Sequence, residues 1–230
     1  IGMQVNGLFG TVVDIPAKLA FDVSRFGNSE RSLQAAACLE PAGVAYLACV
    51  NASVSASDRV AILGAGPIGL LTAMLCRLAF GASAVCVVEP SEFRRNLARK
   101  WADKSLTPDQ FKSCDDVFDV LIDTSGDLDL VARSIPRLRH NGRVCLLARN
   151  GRALVVDSVD HIISNNISIV GSRGHLGGIY ERLAALYESG RLPIDEIVTK
   201  VIGGLPALAE HLKASDLVTR DNCKVLCRFD

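Results

Sequence analysis

The chain has 230 residues, of which 49% are hydrophobic and 22% are charged, a composition typical of a globular protein with a packed core. Twenty-five basic residues balance twenty-five acidic ones, so no net charge attracts nucleic acid or an anionic membrane, and neither partner is expected. The longest apolar run, residues 60–76, is shorter than the roughly 20 residues that cross a bilayer. With no secretory signal at the start, we expect a cytoplasmic protein without a membrane span.

Eight cysteines are scattered along the chain, several of them inside apolar runs. This pattern favours reduced, buried thiols over a disulfide framework. The chain contains no Cys-x-x-Cys and no His-Glu-x-x-His motif. A zinc site built from this chain alone is therefore not expected.

Between residues 59 and 171, short β-rich runs alternate with helical stretches, which predicts a parallel sheet covered by helices on both faces. A short additional strand is expected within residues 102–117. The main predicted strands are Arg59–Leu63, Ala84–Val88, Phe118–Asp123, Arg143–Leu147 and Ile167–Val170.

Helices are predicted between these strands. The first begins with Pro67, which is suited to a first helical turn. Its core-facing residues are predicted to be Ile68, Leu71, Leu75 and Leu78. The core-facing stripe of the second helix is predicted to be Phe93, Leu97 and Trp101. A third helix is predicted from about Leu128 to Leu138, ending at the Asn141-Gly142 turn.

Both ends of the chain depart from this alternation. Phe9 to Ile15 is predicted to be extended and to end at Pro16. Two helices are predicted at 178–190 and 207–213, followed by a last strand at 224–228.

A glycine motif, Gly64-Ala65-Gly66-Pro67-Ile68-Gly69, follows the first predicted strand and opens the first predicted helix. Gly64 permits a tight turn, Gly66 lets the backbone approach a pyrophosphate, and Gly69 lets the helix lie close to the strand. The amides of the first helical turn then face the phosphates. The motif predicts a dinucleotide site that includes Pro67 and Ile68; the alternative is a purely structural glycine turn.

Glu89 ends the second β-rich run, twenty residues after Gly69, where a carboxylate accepts hydrogen bonds from adenosine ribose hydroxyls. Because a 2′-phosphate there would meet a negative charge, Glu89 favours NAD over NADP. Arg94 and Arg95 follow one helical turn later and can neutralise a 2′-phosphate, which tempers this preference; the alternative is a solvated helix face. Arg94 is the better candidate for a cofactor contact.

The ends of the later strands are expected to complete the site, because ligands of such sheets lie beyond the carboxyl ends of the strands. The candidates are Thr124-Ser125-Gly126, Leu147-Ala148-Arg149 and Gly171-Ser172-Arg173.

The chain resembles the medium-chain dehydrogenases/reductases, which include the zinc alcohol, sorbitol and threonine dehydrogenases. The resemblance runs over essentially all 230 residues but corresponds to about the last two thirds of a usual member. The segments that carry it are Phe9–Ala17, Leu39–Ala45, Asp58–Gly69 and Ile169–Ser172.

This resemblance implies an α/β fold, a Rossmann doubly wound parallel sheet with flanking remnants of a β-rich GroES-like catalytic domain. Residues 1–35 would be part of that catalytic domain, 36–172 the NAD-binding domain, and 173–230 the return to the catalytic domain. The resemblance supports Ile68, Glu89 and Arg94 as cofactor contacts. It also implies that the turn from Gly171 to Arg173 binds the nicotinamide carboxamide.

The family's usual zinc ligands, a Cys and a Gly-His-Glu segment, have no equivalent in this chain. Zinc is therefore expected in the complete enzyme and not in this fragment. Glu40, in the pair Glu40-Pro41, is the single candidate metal residue. It either lies in the zinc sphere or is a carboxylate that interacts with the start of a helix.

The function that this implies is that of the NAD(H)-binding portion of a zinc-type alcohol or polyol dehydrogenase. Such an enzyme transfers hydride between a secondary alcohol, or its ketone, and nicotinamide, and the fragment alone is expected to be inactive. A homodimer or homotetramer formed by the edge strand near Ile167–Val170 is also expected. The alternatives are a zinc-independent NADP quinone or enoyl reductase, a non-catalytic nucleotide-binding scaffold and a methyltransferase.

Overall fold

The computed structural model describes residues 12–175, 177–213 and 221–229. Its centre is a six-stranded sheet in which every pair of neighbouring strands is parallel. The strands are β1 (Arg59–Leu63), β2 (Ala84–Val88), β3 (Lys104–Leu106), β4 (Phe118–Asp123), β5 (Leu138–Leu146) and β6 (Ser168–Gly171). Their order across the sheet is β3-β2-β1-β4-β5-β6.

Nine α-helices lie in the described part of the chain. Four of them begin at a side-chain N-cap, provided by Ser29, Ser91, Thr107 and Asp127, each of which accepts a hydrogen bond from a first-turn amide. The helices are α1 (Glu30–Ala37), α2 (Leu39–Asn51), α3 (Pro67–Leu78), α4 (Glu92–Ala98), α5 (Pro108–Lys112), α6 (Leu128–Ser134), α7 (Val159–Ser164), α8 (Ile179–Glu188) and α9 (Gly204–Lys213).

The central sheet is buried on both faces. Val60 and Ile62 of β1 point into a core cluster shared with α2, α3 and α8. Ala61 and Leu63 point into a second cluster on the opposite face, shared with α5 and α6. This arrangement of helices on both faces of a parallel sheet confirms the predicted doubly wound α/β fold.

A separate two-stranded parallel sheet consists of β7 (Val198–Gly203) and β8 (Lys224–Arg228). The chain reaches it through α8, which packs on α2 with its first turn close to Gly43. A Cβ atom at Gly43 would lie 3.2 Å from Cγ2 of Ile179, so a larger residue there would push the two helices apart. The segment after β6 therefore shares the core of the large sheet.

The prediction for the third helix is wrong at its C-terminal end. α6 ends at Ser134, a 3₁₀ turn covers Ile135–Arg137, and β5 starts directly afterwards. Asn141, with a φ of +62°, lies inside β5 and donates its N–H to the carbonyl of Asn165 at 2.7 Å. Asparagine tolerates this left-handed conformation in a bulged strand as well as at a helix end, so the Asn-Gly signal fits both.

Other predicted bounds change by smaller amounts. β5 begins before Arg143 and ends at Leu146, and β6 is displaced by one residue toward the C-terminus. The predicted stripe of the second helix is wrong in part, because Phe93 is 38% exposed. Trp101 is buried in the core as predicted, although it lies beyond the end of α4. The expected short strand is β3, and the helices and strand predicted near the C-terminus are α8, α9 and β8. Most of the predicted extended segment at 9–15 lies outside the described residues.

Within the described ranges, no single helix is both long and apolar enough to cross a bilayer. In the same ranges, α1 and α2 taken together, which meet at an angle of 50°, satisfy those criteria of length and hydropathy.

Candidate functional site

A cleft of about 340 Å³ opens at the carboxyl ends of β1 and β4, where the strand order reverses. Ligands of doubly wound sheets bind at this position. The cleft is lined by Gly64, Gly66, Val88, Glu89, Pro90, Arg94, Pro108, Thr124, Ser125, Asp127 and Leu130. The cleft thus brings together five residues that the sequence singles out: Gly64, Gly66, Glu89, Arg94 and Thr124.

The three glycines of the loop after β1 have three different environments. Gly64 has a φ of +97°, a conformation that favours glycine. A Cβ atom at Gly66 would meet no atom within 4 Å, so this position faces open space at the cleft. A Cβ atom at Gly69 would lie 2.1 Å from the carbonyl oxygen of Gly64, so α3 approaches the loop too closely for any side chain there. This geometry fits the role that the sequence predicts for each glycine.

The first turn of α3 has no side-chain cap. Gly66 is its N-cap residue and Pro67 is the first helical residue. Among the residues that the structure describes, no side chain accepts from the amides of Ile68 and Gly69. Free amides at the positive end of a helix dipole form a binding site for anions. Because Gly66 faces open space, an anionic group in the cleft can approach these amides.

Glu89 directly follows β2 and is only 5% exposed. Its Oε2 atom accepts the N–H of Ala65 at 2.8 Å, and its Oε1 atom accepts the N–H of Ser91 at 2.9 Å. Each carboxylate oxygen has room for a further hydrogen bond. Glu89 therefore lines the cleft as an acceptor while also contacting the glycine loop.

The two arginines on α4 have different partners. Arg94 lines the cleft, and its Nε donates to the carbonyl of Asn222 at 2.9 Å. Arg95 donates from Nη1 to the carbonyls of Glu89 and Pro90 at 2.8 and 2.6 Å, and it does not line the cleft. Both side chains are partly buried and hydrogen-bonded, so the interpretation of a solvated helix face is wrong for them.

β4 forms the other wall of the cleft. Oγ1 of Thr124 donates to the carbonyl of Leu63 at 2.8 Å and ties the end of β4 to the end of β1. The buried Asp123 accepts the N–H groups of Ser125 and Gly126 at 2.9 and 3.0 Å, which fixes the turn that follows. The wall is therefore held in place by its own hydrogen bonds.

The remaining predicted contacts lie along the same edge of the sheet, outside the cleft lining. Leu147 and Ala148 follow β5. Ala148 lies close to Gly126, because a Cβ atom added to that glycine would be 3.5 Å from Cβ of Ala148. Ser172 follows β6 and accepts the side-chain amide of Asn51 at 3.1 Å, and Arg173 is exposed. The structure thus brings only part of the predicted set together in one cleft.

Sequence reasoning missed five lining residues, most of them apolar: Val88, Pro90, Pro108, Asp127 and Leu130. Pro108 and Leu130 belong to α5 and α6, whose packing against the strand ends brings them to the cleft. No local sequence signal marks such residues, because their role depends on how distant helices pack.

Glu40 lies in the first turn of α2 and is exposed. Nearby, the hydroxyl of Tyr180 and Nε2 of His175 are hydrogen-bonded at 2.8 Å. Burial, and secondarily the negative charge of Glu40, raises the pKa of Tyr180. Nowhere in the described ranges do three or more His, Cys, Asp or Glu side chains converge on a possible metal position.

Comparison with known proteins points to one enzyme family. The sequence profile of the zinc-binding dehydrogenases matches residues 67–189. Scyllo-inosose 3-dehydrogenase of Thermotoga maritima is 30% identical over 93% of this chain and 58% of its own length. L-threonine 3-dehydrogenase of Thermococcus kodakarensis is 32% identical over 91% of this chain and 61% of its own length. The chain thus spans about three fifths of the length of these relatives.

Solved structures share the fold. A zinc-binding dehydrogenase structure from Sinorhizobium meliloti bound to NADP has a TM-score of 0.86 and 24% identity, and covers 99% of this chain and 67% of its own. An Escherichia coli structure described as a short chain alcohol dehydrogenase, complexed with NADH, has a TM-score of 0.82 and 20% identity, and covers 94% of this chain and 64% of its own. The profile match extends over more than half of the chain, and the chain therefore belongs to the zinc-binding dehydrogenase family.

Proposed function

We propose that the cleft binds NAD(H). The observation that carries this proposal is the position of the buried Glu89 carboxylate beside a glycine loop whose first-turn amides have no side-chain partner. A dinucleotide fits both features at once, because its diphosphate is anionic and its ribose hydroxyls are hydrogen-bond donors. The proposed cofactor contacts are Gly64, Gly66, Pro67, Ile68, Gly69, Glu89, Arg94, Thr124, Leu147, Ala148, Ser172 and Arg173.

The apolar lining supports an orientation for the nucleotide. Val88, Pro90, Pro108 and Leu130 present an apolar surface on the side of the cleft next to Glu89. A flat purine ring buries its faces well against such side chains. We therefore place the adenine there, with its ribose at Glu89 and the diphosphate at Gly66.

Glu89 also favours NAD over NADP. A 2′-phosphate on the adenosine ribose would lie next to a carboxylate that is 5% exposed and held by two backbone amides, so the like charges cannot separate easily. Arg94 at the cleft is the one lining cation among the described residues that could offset this repulsion. Structures with this fold carry NADH or NADP, so the proposed preference for NAD rests on this chain's own carboxylate.

We further propose that the whole protein is a cytoplasmic oxidoreductase of the alcohol or polyol dehydrogenase type. Bound nicotinamide would accept or supply the hydride exchanged with a small alcohol or ketone. Residues 36–172 would bind and orient the cofactor, while 1–35 and 173–230 would belong to a catalytic domain. Glu40 would contribute to that domain's metal site, and the other ligands would come from elsewhere in the whole protein.

The test is calorimetric titration of this chain with NAD⁺, NADH, NADP⁺ and NADPH. We expect NAD⁺ and NADH to bind at least about tenfold more tightly than their phosphorylated forms, because of Glu89. Glu89→Ala should weaken NAD⁺ binding about 10- to 100-fold, as expected for lost hydrogen bonds to a charged group. Glu92→Ala, which removes an exposed carboxylate from the first turn of α4, is the matched control and should bind NAD⁺ as the unmodified chain does. If the chain binds none of the four nucleotides, the proposal is wrong.

We also propose that two copies of the chain associate through β6. This strand is the outer edge of the central sheet, and Ile169 on it is 39% exposed. Nearby in sequence, Val155, Val159 and Ile163 are 69%, 60% and 71% exposed. An edge strand that follows exposed aliphatic side chains in sequence favours pairing with a second sheet.

A further inference from the structure

We propose that Glu89 is a positioning residue for the glycine loop in addition to its proposed contact with ribose. Its carboxylate holds the loop in the conformation that receives the diphosphate. A replacement of Glu89 that leaves the N–H of Ala65 without an acceptor consequently cannot reverse the preference for NAD. This inference rests on the proposed nucleotide function, and its test separates the two.

The first observation is the hydrogen bond to Ala65. This residue lies between Gly64 and Gly66 in the loop and is 0% exposed, so its N–H cannot reach water. The amide is 2.8 Å from Oε2 of Glu89, which is 24 residues away in sequence. A buried N–H must have a partner, and for Ala65 that partner is the carboxylate.

The second observation is that Glu89 itself is held in place. Its Oε1 atom accepts the N–H of Ser91, which is the N-cap residue of α4. The carbonyl of Glu89 accepts a hydrogen bond from Arg95. With 5% exposure and fixed contacts at both its backbone and its carboxylate, the side chain cannot turn away from the loop. The rigid end of β2 thereby sets the position of Ala65.

The loop needs such a support. Gly64 and Gly66 have no side chains to restrict the backbone on either side of Ala65. If Ala65 loses its acceptor, its N–H must find another partner or become exposed, and either change moves the adjacent Gly66. Gly66 faces the open space of the cleft, so its displacement removes the surface against which a diphosphate binds.

A consequence follows for coenzyme preference. A change such as Glu89→Ser removes the charge that repels a 2′-phosphate, but the shorter side chain does not reach Ala65. We expect that variant to lose NAD⁺ affinity without a matching gain in NADP⁺ affinity. A side chain that keeps an oxygen at the Oε2 position is required for a gain.

The experiment uses 2′,3′-dideoxy-ADP, which retains the adenine and the diphosphate but has no ribose hydroxyls for Glu89. Its affinity is measured by calorimetry for the unmodified chain, Glu89→Gln and Glu89→Ala. Both variants lose the negative charge. The glutamine keeps one acceptor oxygen in place of two, so it accepts the N–H of Ala65 only with its amide nitrogen facing the N–H of Ser91. We expect Glu89→Ala to bind at least about fivefold more weakly than Glu89→Gln. The positioning role is wrong if Glu89→Ala binds this nucleotide as tightly as the unmodified chain or more tightly, because loss of a negative charge by itself favours binding of a diphosphate.

A second measurement does not depend on any ligand. Hydrogen exchange of the Ala65 amide, measured by NMR in the nucleotide-free chain, should be at least about fivefold faster in Glu89→Ala than in Glu89→Gln. An amide of the β1 interior, such as that of Ile62, serves as the reference for global stability and should change equally in both variants. Unchanged Ala65 exchange would overturn the inference even if NAD⁺ binds. Faster exchange in a chain that binds no nucleotide would instead contradict only the proposed function.

Discussion

Gly66 and Gly69 are three residues apart in one motif, yet an added methyl group meets different surroundings at the two positions. At Gly66 it would enter open space with the backbone at a φ of −66°, which every residue adopts. At Gly69 it would lie 2.1 Å from the Gly64 carbonyl oxygen and 2.8 Å from Oγ1 of Thr124. In the proposed site, the first glycine leaves room for the ligand, whereas the second lets the loop and α3 pack closely.

We therefore predict opposite results for two alanine substitutions. Gly66→Ala should keep the melting temperature within about 2 °C and weaken NAD⁺ binding at least about tenfold, because the methyl group occupies the space of the diphosphate. Gly69→Ala should lower the free energy of unfolding by about 1–3 kcal/mol, because the loop and α3 must separate. Thermal unfolding and calorimetry measure the two effects. A stable Gly66→Ala variant with unchanged affinity would contradict the placement of the diphosphate.

Residue spacing was sufficient to predict much of this site. The glycine motif and Glu89 are separated by a fixed length of helix and strand, so their approach follows from the local elements. The hydrogen bond between Glu89 and Ala65 could not be predicted, because it depends on the exact placement of a side chain after β2. The contact between Arg94 and the carbonyl of Asn222 is similarly unpredictable, because it joins α4 to a segment near the end of the chain.

At the scale of elements, prediction succeeded where the apolar pattern was strong. β1, β2 and β4 have the predicted bounds, because their apolar runs are buried on both faces of the sheet. It failed at residues 134–142, where Asn141-Gly142 was interpreted as a helix end. The pair instead lies at a register shift between β4 and β5. An Asn-Gly pair is typical of such a bulge as well as of a helix end, so the local sequence does not distinguish the two.

The edge of the central sheet provides a prediction at this scale. Ile163 of α7 precedes β6 in sequence and is 71% exposed, so Ile163→Glu should add like charges to a symmetric interface and yield a monomer. Leu33→Glu is the control, since Leu33 is 52% exposed on α1, in a different part of the chain. Light scattering after size-exclusion chromatography measures the mass of each variant. If the unmodified chain is itself a monomer at concentrations up to about 100 μM, the proposed association through β6 is wrong.

At the scale of the whole molecule, buried thiols lower the free energy of unfolding as the pH becomes alkaline. Burial raises the pKa of Cys86 to about 12 and that of Cys38 to about 11, from an ordinary value of 9.0. Below pH 9 the thiols are protonated in both the folded and the unfolded chain, so their contribution to stability is complete. Above pH 9 only the unfolded chain releases these protons. Stability is therefore lost between pH 9 and the raised pKa values of the folded state.

We predict that the free energy of unfolding in urea with reductant falls between pH 8.5 and 10.5, by up to about 1.4 kcal/mol per pH unit for each such thiol. Cys86→Ala should reduce this slope. Val88→Ala is the control, because Val88 is buried in the same cluster on β2 and leaves a cavity without removing a titrating group. Equal slopes in both variants would contradict the assignment of the pH dependence to Cys86.

The order of strands in the central sheet has a consequence for how the chain folds. β1 pairs with β2 by joining Arg59 to Ala84, whereas it pairs with β4 by joining Val60 to Val120. The second pairing closes a loop more than twice as long, which costs about 0.6 kcal/mol more for each doubling in length. Contacts over such long sequence separations form slowly during folding. Since the cleft opens between β1 and β4, the nucleotide site is completed by the most difficult closure in the sheet, and a chain that binds nucleotide has already joined its two halves.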